Sequence, residues 1–169
     1  MKRAILFVAL FLAVGFCLKS CSGGYSFTGG DIGEAKTLSV RDFPNYADIV
    51  NPNLTQELTE SIRQNFLNQT RLKLVALDGD LDFEGSITGY TIVPMAAQAG
   101  ETSAQNKLTV TINVIFTNQL DPDKSFEQRF SRFRDFNADV PFIQVEEQLV
   151  REIVQELAED ILNKAIVNW

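Results

Sequence analysis

The chain has 169 residues, with 22 acidic against 15 basic side chains, a net charge of −7 and no histidine. The missing imidazole removes the commonest general base, the Ser–His and Cys–His activation schemes and the commonest metal ligand. The acidic balance excludes a nucleic-acid-binding surface, which needs a basic footprint over the phosphates.

Lys2 and Arg3 precede an apolar run, residues 4–17, that is 14 residues long and carries no charge. A helix needs about 20 apolar residues to cross a bilayer, so this run reads as a cleaved leader. Two cysteines compete for its end. Cys17 follows the bulky Phe16, whereas Cys21 follows the small Ser20 and has Leu18 three positions upstream. Cys21 therefore reads as the acylated first residue of a mature lipoprotein, with Lys19 as a departure from that pattern. The alternative is an uncleaved or ordinarily secreted leader. Cleavage before Cys21 removes Lys2, Arg3 and Lys19, which leaves 12 cations against 22 anions and a net charge of −10. Such a surface opposes broad adhesion to anionic lipid, so any anionic ligand needs a local cationic patch. Cys21 would be the only cysteine left, so no intramolecular disulfide can form and stability must come from a hydrophobic core.

The expected organisation is a leader over 1–20, a spacer over 21–36 rich in Gly and Ser, and one domain over 37–169. Residues 37–43 read as a strand with Leu38 and Val40 on one face. Asn51 and Pro52 read as a helix start, because Asn can cap and Pro lacks only a donor that the first turn does not use. Leu54, Leu58, Ile62 and Phe66 then recur every four residues, an amphipathic helix running to about Gln69. Residues 72–77 read as a short strand leading into an Asp78-Gly79-Asp80 turn. Leu81, Phe83 and Ile87 alternate on odd positions, and Tyr90 and Ile92 on even ones. That change of parity near Gly89 predicts a bulge or a sharp bend. Residues 94–106 are small and polar and read as a long hairpin loop. Leu108, Val110, Ile112, Val114 and Phe116 alternate with polar residues, a strand buried on one face. A turn at 120–124 precedes 125–136, where Phe126, Phe130 and Phe136 share strand parity while Phe126, Phe130 and Phe133 have helical spacing. The short turn and the aromatic content favour a strand, with the aromatics in the core. From Pro141 onward a broad apolar stripe, including Leu149, Ile153, Leu157 and Ile161, gives a second amphipathic helix. The expectation is α+β: two layers, with an approximately four-stranded, mostly antiparallel sheet packed against two amphipathic helices. The other face of the sheet is left for solvent or a partner.

Several stretches together resemble the lipopolysaccharide-assembly lipoprotein family LptE. They are CSGGYSFTG (21–29), LSVRDFP (38–44), NPNLTQEL (51–58), LDFEGSITGY (81–90), LDPDKSFEQRFSRF (120–133) and NKAIVNW (163–169), and they run nearly the whole mature length. The resemblance implies a non-enzymatic lipoprotein on the periplasmic side of the outer membrane. It also implies a plug within an LptD-like β-barrel, the pair placing lipopolysaccharide in the outer leaflet. The rival is a free-standing periplasmic lipoprotein, a binding module or assembly chaperone; an enzyme ranks third, and no cofactor or metal is expected.

Lys124, Arg129, Arg132 and Arg134 are the candidate contacts for lipopolysaccharide or the barrel wall, since guanidinium suits phosphate and carboxylate geometry. Strand parity places Arg132 and Arg134 on one face and Arg129 on the other. Ordinary pairing with neighbouring Glu or Asp is the competing explanation. The spacing of Asp78, Asp80 and Asp82 suggests a calcium loop, but the glycine and distal glutamate of such a loop are missing, so a turn explains it better. Trp169 follows residues of helical period, so it reads as the end of a helix and not as the last strand of a barrel.

Overall fold

The computed structural model describes residues 32–49, 51–95 and 104–166. Cys21, most of the spacer, the tip of the 94–106 loop and Trp169 lie outside the described residues. The elements are β1 (Thr37–Val40), α1 (Leu54–Gln69), β2 (Lys73–Leu74), β3 (Leu81–Met95), β4 (Gln105–Asn118), β5 (Phe126–Asn137) and α2 (Phe142–Ile166). The strands form one sheet in the order β2-β1-β3-β4-β5. β1 is parallel to both β2 and β3, and the long β3–β4–β5 meander is antiparallel. The α+β class is as expected, but the sheet has five strands and not four. The fifth, β2, has two residues, too few to display any alternation in the sequence.

The Asp78-Gly79-Asp80 turn lies between two strands, as expected, and belongs to a crossover. β2 and β3 flank β1 and run the same way, so the chain between them must pass over β1. It does so at Gly79, where a Cβ would lie 2.6 Å from the Ser39 nitrogen and 2.8 Å from the Leu38 carbonyl carbon. Only glycine allows that approach. Asp78 takes a positive φ of 54° just before it. The crossover is then tied down by its polar groups. The Gly79 N–H donates to Ser39 Oγ at 2.9 Å, and the Asp80 N–H donates to Thr37 Oγ1 at 2.8 Å. Asp80 Oδ2 accepts from the backbone amides of Lys36 and Thr37 at 2.9 and 3.0 Å. Those bonds hold the Asp80 carboxyl below the usual carboxylate range.

The parity change in β3 is a bulge. The pairing with β4 steps from Ile87↔Ile112 to Gly89↔Thr111, leaving Thr88 as the extra residue. Leu81, Phe83, Ile87 and Tyr90 thereby all reach the same buried face. β3 and β4 run further than the sequence suggests, and their ladder reaches Met95↔Gln105. Helix α1 starts at Leu54, two residues beyond Pro52, with Asn53 at its N-cap. Asn51 still serves this end, since its Oδ1 accepts the Asn53 N–H at 2.9 Å.

Both helices cover one face of the sheet. α1 buries Leu54, Leu58, Ile62 and Phe66 completely, and α2 contributes Leu149 to Ile166 along its stripe. Each such side chain stabilises the fold by about 1.5–3 kcal/mol relative to leaving it exposed. A chain of rings links the layers: Phe66–Phe83 at 4.8 Å, Phe83–Phe116 at 4.6 Å, Phe116–Phe126 at 5.2 Å and Phe126–Phe130 at 6.5 Å between centroids. Phe133 departs from the expected aromatic core. It pairs with Thr109 on the opposite face and is 50% exposed, because in a strand its odd number separates it from Phe130 and Phe136. Ile32 and Ala35, within the stretch read as spacer, pack on the core.

Candidate functional site

β5 positions the candidate arginines. Arg132 lies opposite Val110 and Arg134 opposite Leu108, which turns both toward the helix layer. Arg129 lies opposite Asn113 and points to the open face of the sheet. Helix α2 presents Glu152, Glu156 and Asp160 at four-residue intervals. Four helical residues rise about 6.0 Å and two strand residues about 6.7 Å, so the two ladders stay in step. Arg134 donates to Glu156 through both terminal nitrogens, at 2.6 and 3.1 Å, and through Nε to Glu152 at 2.8 Å. Arg132 grips Asp160 through Nε and Nη2 at 2.6 and 2.5 Å. These are fork-to-carboxylate pairs, the strongest geometry open to a guanidinium.

The electrostatics follow. The hydrogen bonds Arg134 donates to Glu156 first, then to Glu152, push it further above its ordinary value. Asp160 does the same for Arg132. Glu156 is held low chiefly by Arg134, while Glu152 is held low first by Gln148 and then by Arg134. The structure thus brings Arg132 and Arg134 together in a seam that ties β5 to α2. It does not bring Lys124 or Arg129 to them. Lys124 pairs with Asp121 at 3.5 Å, and exposed Arg129 forms no ion pair among the described residues.

The open face of the sheet carries a different chemistry. Ser39, Arg41, Asp82 and Glu84 meet on its β1–β3 side. Arg41 bridges Asp82 at 3.0 Å and Glu84 at 2.7 Å, and buried Asp82 also accepts from the Ser39 hydroxyl. Asp80 and Asp82 are therefore occupied by backbone amides, a hydroxyl and a guanidinium. Towards β5 the face continues with Thr109, Thr111, Asn113 and Thr117. Asn113 donates to Glu127 at 2.8 Å, and Thr111 bonds Ser131 at 3.0 Å. Lys107 lies 4.0 Å above the Phe133 ring. At its β1 side the crossover through Gly79 lies over this face and buries Ser39; no described helix lies over the rest.

One polar knot has no warning in the sequence. Tyr90 is almost fully buried, and its hydroxyl donates to Glu146 Oε1 at 2.7 Å. Asn51 Nδ2 donates to the same oxygen at 2.8 Å. Burial, and then the bond to Glu146, push the phenol well above its usual value. The knot fastens β3, the turn before α1 and the first turns of α2 at one point. The three residues are far apart in the chain, and only the even number of Tyr90 past the bulge hinted that it turns inward.

Comparison with solved structures places the fold. A putative neuraminyllactose-binding hemagglutinin homolog from Helicobacter pylori matches with a TM-score of 0.51 at 9% identity, covering 83% of this chain and 88% of that one. A protein from Xanthomonas campestris matches with a TM-score of 0.50 at 13% identity, covering 77% and 85%. A minor lipoprotein from Acinetobacter baumannii gives 0.48 at 16% identity, covering 79% and 94%. At these identities the likeness concerns fold alone. No curated protein matches. The family model LptE, described as lipopolysaccharide-assembly, matches residues 35–165, which takes in every element from β1 to nearly the end of α2. The chain belongs to the LptE family of lipopolysaccharide-assembly lipoproteins.

Proposed function

We propose that the protein is the lipid-anchored subunit that plugs an LptD-like outer-membrane β-barrel, supports its assembly and serves lipopolysaccharide insertion into the outer leaflet. The family match over 35–165 is the observation that carries this reading. The surface chemistry supports it. A large barrel has a polar lumen, so a plug must be polar on every broad face. Here the helix layer shows Glu60, Glu147 and Glu159 outward, and the open sheet face carries threonines, Asn113 and ion pairs around the half-exposed Phe133. Acylation at Cys21 would hold the domain at the membrane, each buried methylene adding about 0.8 kcal/mol. Lipopolysaccharide phosphates and acidic barrel residues are the chemistry suited to Lys124, Arg129, Arg132 and Arg134. The domain then acts through its surfaces, without a catalytic step.

The test is co-purification. Tagged protein extracted in mild detergent should bring down a large β-barrel, and its depletion should lower surface lipopolysaccharide. A monodisperse monomer with unchanged surface lipopolysaccharide would refute the reading in favour of a free-standing lipoprotein.

A further inference from the structure

The placement of unpaired cations carries an inference about how the domain sits on its membrane. In so acidic a chain, cations find carboxylates: Arg41, Arg63, Lys107, Lys124, Arg132, Arg134 and Arg151 all do. Among the described residues, five form no ion pair within 4 Å: Lys36, Arg71, Lys73, Arg129 and Lys164, although the Lys36 charge still acts on the nearby Asp80 carboxylate. Three of the five, Lys36, Arg71 and Lys73, lie together at one sheet edge. Lys73 pairs with Thr37 in register, and its N–H donates to the Lys36 carbonyl at 2.8 Å. All three are exposed.

Apolar side chains share the same edge. Leu74 is 46% exposed and Leu77 61% exposed, and Leu67 on the last turns of α1 is also open. A lone charge on an edge strand is explained by protection against strand pairing. That does not explain leucines beside it, which would promote association. Lys73 shares the face of Thr37 and Leu74 that of Leu38, so met edge-on the edge offers leucines alongside long cationic side chains, the composition of an interfacial surface: the apolar groups enter the headgroup boundary while Lys and Arg reach the phosphates. The edge also lies at the start of β1, the end of the domain nearest in sequence to Cys21. From Cys21 to Ile32 the chain has 11 steps, so it can span at most about 40 Å.

We propose that this edge, Lys36, Arg71 and Lys73 alongside Leu74 and Leu77, docks on the anionic phospholipid headgroups of the leaflet that holds the Cys21 anchor, fixing the orientation of the domain. This rests on the lipid-anchor reading for its geometry. The overall negative charge does not prevent it, because a Debye length of about 8 Å screens the remote carboxylates. Glu34 and Asp78 are the exposed acids beside the edge, while Asp80 is occupied by the amides of Lys36 and Thr37.

Two arms test it. In the first, acylated protein carrying Leu77→Cys or, at the opposite end of the sheet, Ile143→Cys is labelled with a fluorophore in nanodiscs of phosphatidylethanolamine and phosphatidylglycerol. Headgroup-level spin-labelled lipid should quench the label at 77 several-fold more than at 143. Equal quenching, or burial of position 77 against a co-purified barrel, overturns the proposal. In the second, Cys21→Ser protein, which cannot be acylated, is sedimented with phosphatidylglycerol or phosphatidylcholine vesicles. Binding should favour the anionic vesicles, and Lys36→Gln, Arg71→Gln and Lys73→Gln should each lower it roughly fivefold, on the order of a hundredfold together. Binding unaffected by the three changes overturns the proposal. Mass spectrometry of Cys21 tests the anchor separately, so the failure of either idea is recognisable.

Discussion

The seam between β5 and α2 can be tested by exchanging its charges. Arg134→Glu removes the forked bond to Glu156 and sets a carboxylate against two others. The Arg134–Glu156 tie joins side chains 28% and 38% exposed, so after solvent screening it contributes about 1 kcal/mol. Two like charges near 4 Å repel by about 1–4 kcal/mol at effective dielectric constants between bulk water and a protein surface, less in salt. The single variant should therefore lose about 2–3 kcal/mol, seen as a Tm lower by about 5–10 °C in circular dichroism melts. Glu156→Arg alone should also destabilise, by setting a third cation beside Arg132 and Arg134. The double exchange, Arg134→Glu with Glu156→Arg, should recover at least about 1 kcal/mol of the summed loss as coupling. Strict additivity of the two single effects would refute the tie. The same double variant separates structure from recognition. If it folds but no longer retains lipopolysaccharide, the guanidinium on β5 contacts the ligand; if retention is intact, Arg134 is a strut.

Three further outcomes follow from the packing and the charges. Gly85→Ala should cost about 3 kcal/mol in urea denaturation, the upper end for overpacking, because its Cβ would meet the Asn113 carbonyl oxygen at 2.2 Å and the Phe43 ring at 2.5 Å; a loss under half of that would show that β4 can yield. Tyr90→Phe should cost about 1–2 kcal/mol, the worth of a buried hydroxyl bonded to a carboxylate, and Glu146→Ala, which removes the acceptor, should abolish most of the difference between Tyr and Phe at position 90. For pH, Glu156 has a folded pKa below its ordinary value of 4.5. Its contribution is complete above that value and is lost as pH falls through the lowered one. Melting temperature should thus hold down to about pH 4.5 and then decline, with a shallower decline in Arg134→Met.

The elements legible in the sequence were those with long periods. The alternation of Leu108 to Phe116, the four-residue recurrence of Leu54 to Phe66 and the stripe of α2 each repeat often enough to override local ambiguity, and the parity jump from Ile87 to Tyr90 located the bulge. What was hidden depends on contacts between distant residues. β2 exists because Lys73 and Leu74 find β1, not because two residues have a pattern. Asp78-Gly79-Asp80 has turn chemistry whether it closes a hairpin or crosses a strand, and only the parallel pairing on both sides of β1 decides. Phe133 was ambiguous for a physical reason, since helical and strand periods place it on opposite faces. Arg132 and Arg134 were correctly assigned to one face. Their partners on α2 were out of reach, because matching a strand step to a helical turn requires knowing that the two run antiparallel in contact.

The seam also bears on where an anionic partner would be recognised. A phosphate approaching Arg132 or Arg134 must displace carboxylates already held in forked geometry, and the released Asp160 or Glu156 would remain beside it as a repelling charge. Arg129 imposes no such exchange. It stands exposed on the open face, two same-face positions along β5 from Phe133, over whose ring Lys107 lies, and its guanidinium is not engaged by a carboxylate among the described residues. If lipopolysaccharide is bound through β5, Arg129 should therefore matter more than either member of the seam. Arg129→Ala should leave the melting temperature within about 0.5 kcal/mol equivalent of the parent and should reduce lipopolysaccharide retention in a pull-down severalfold. Undiminished retention in Arg129→Ala, together with loss in the charge-exchanged seam, would reverse this order and show that the carboxylates of α2 yield to the ligand.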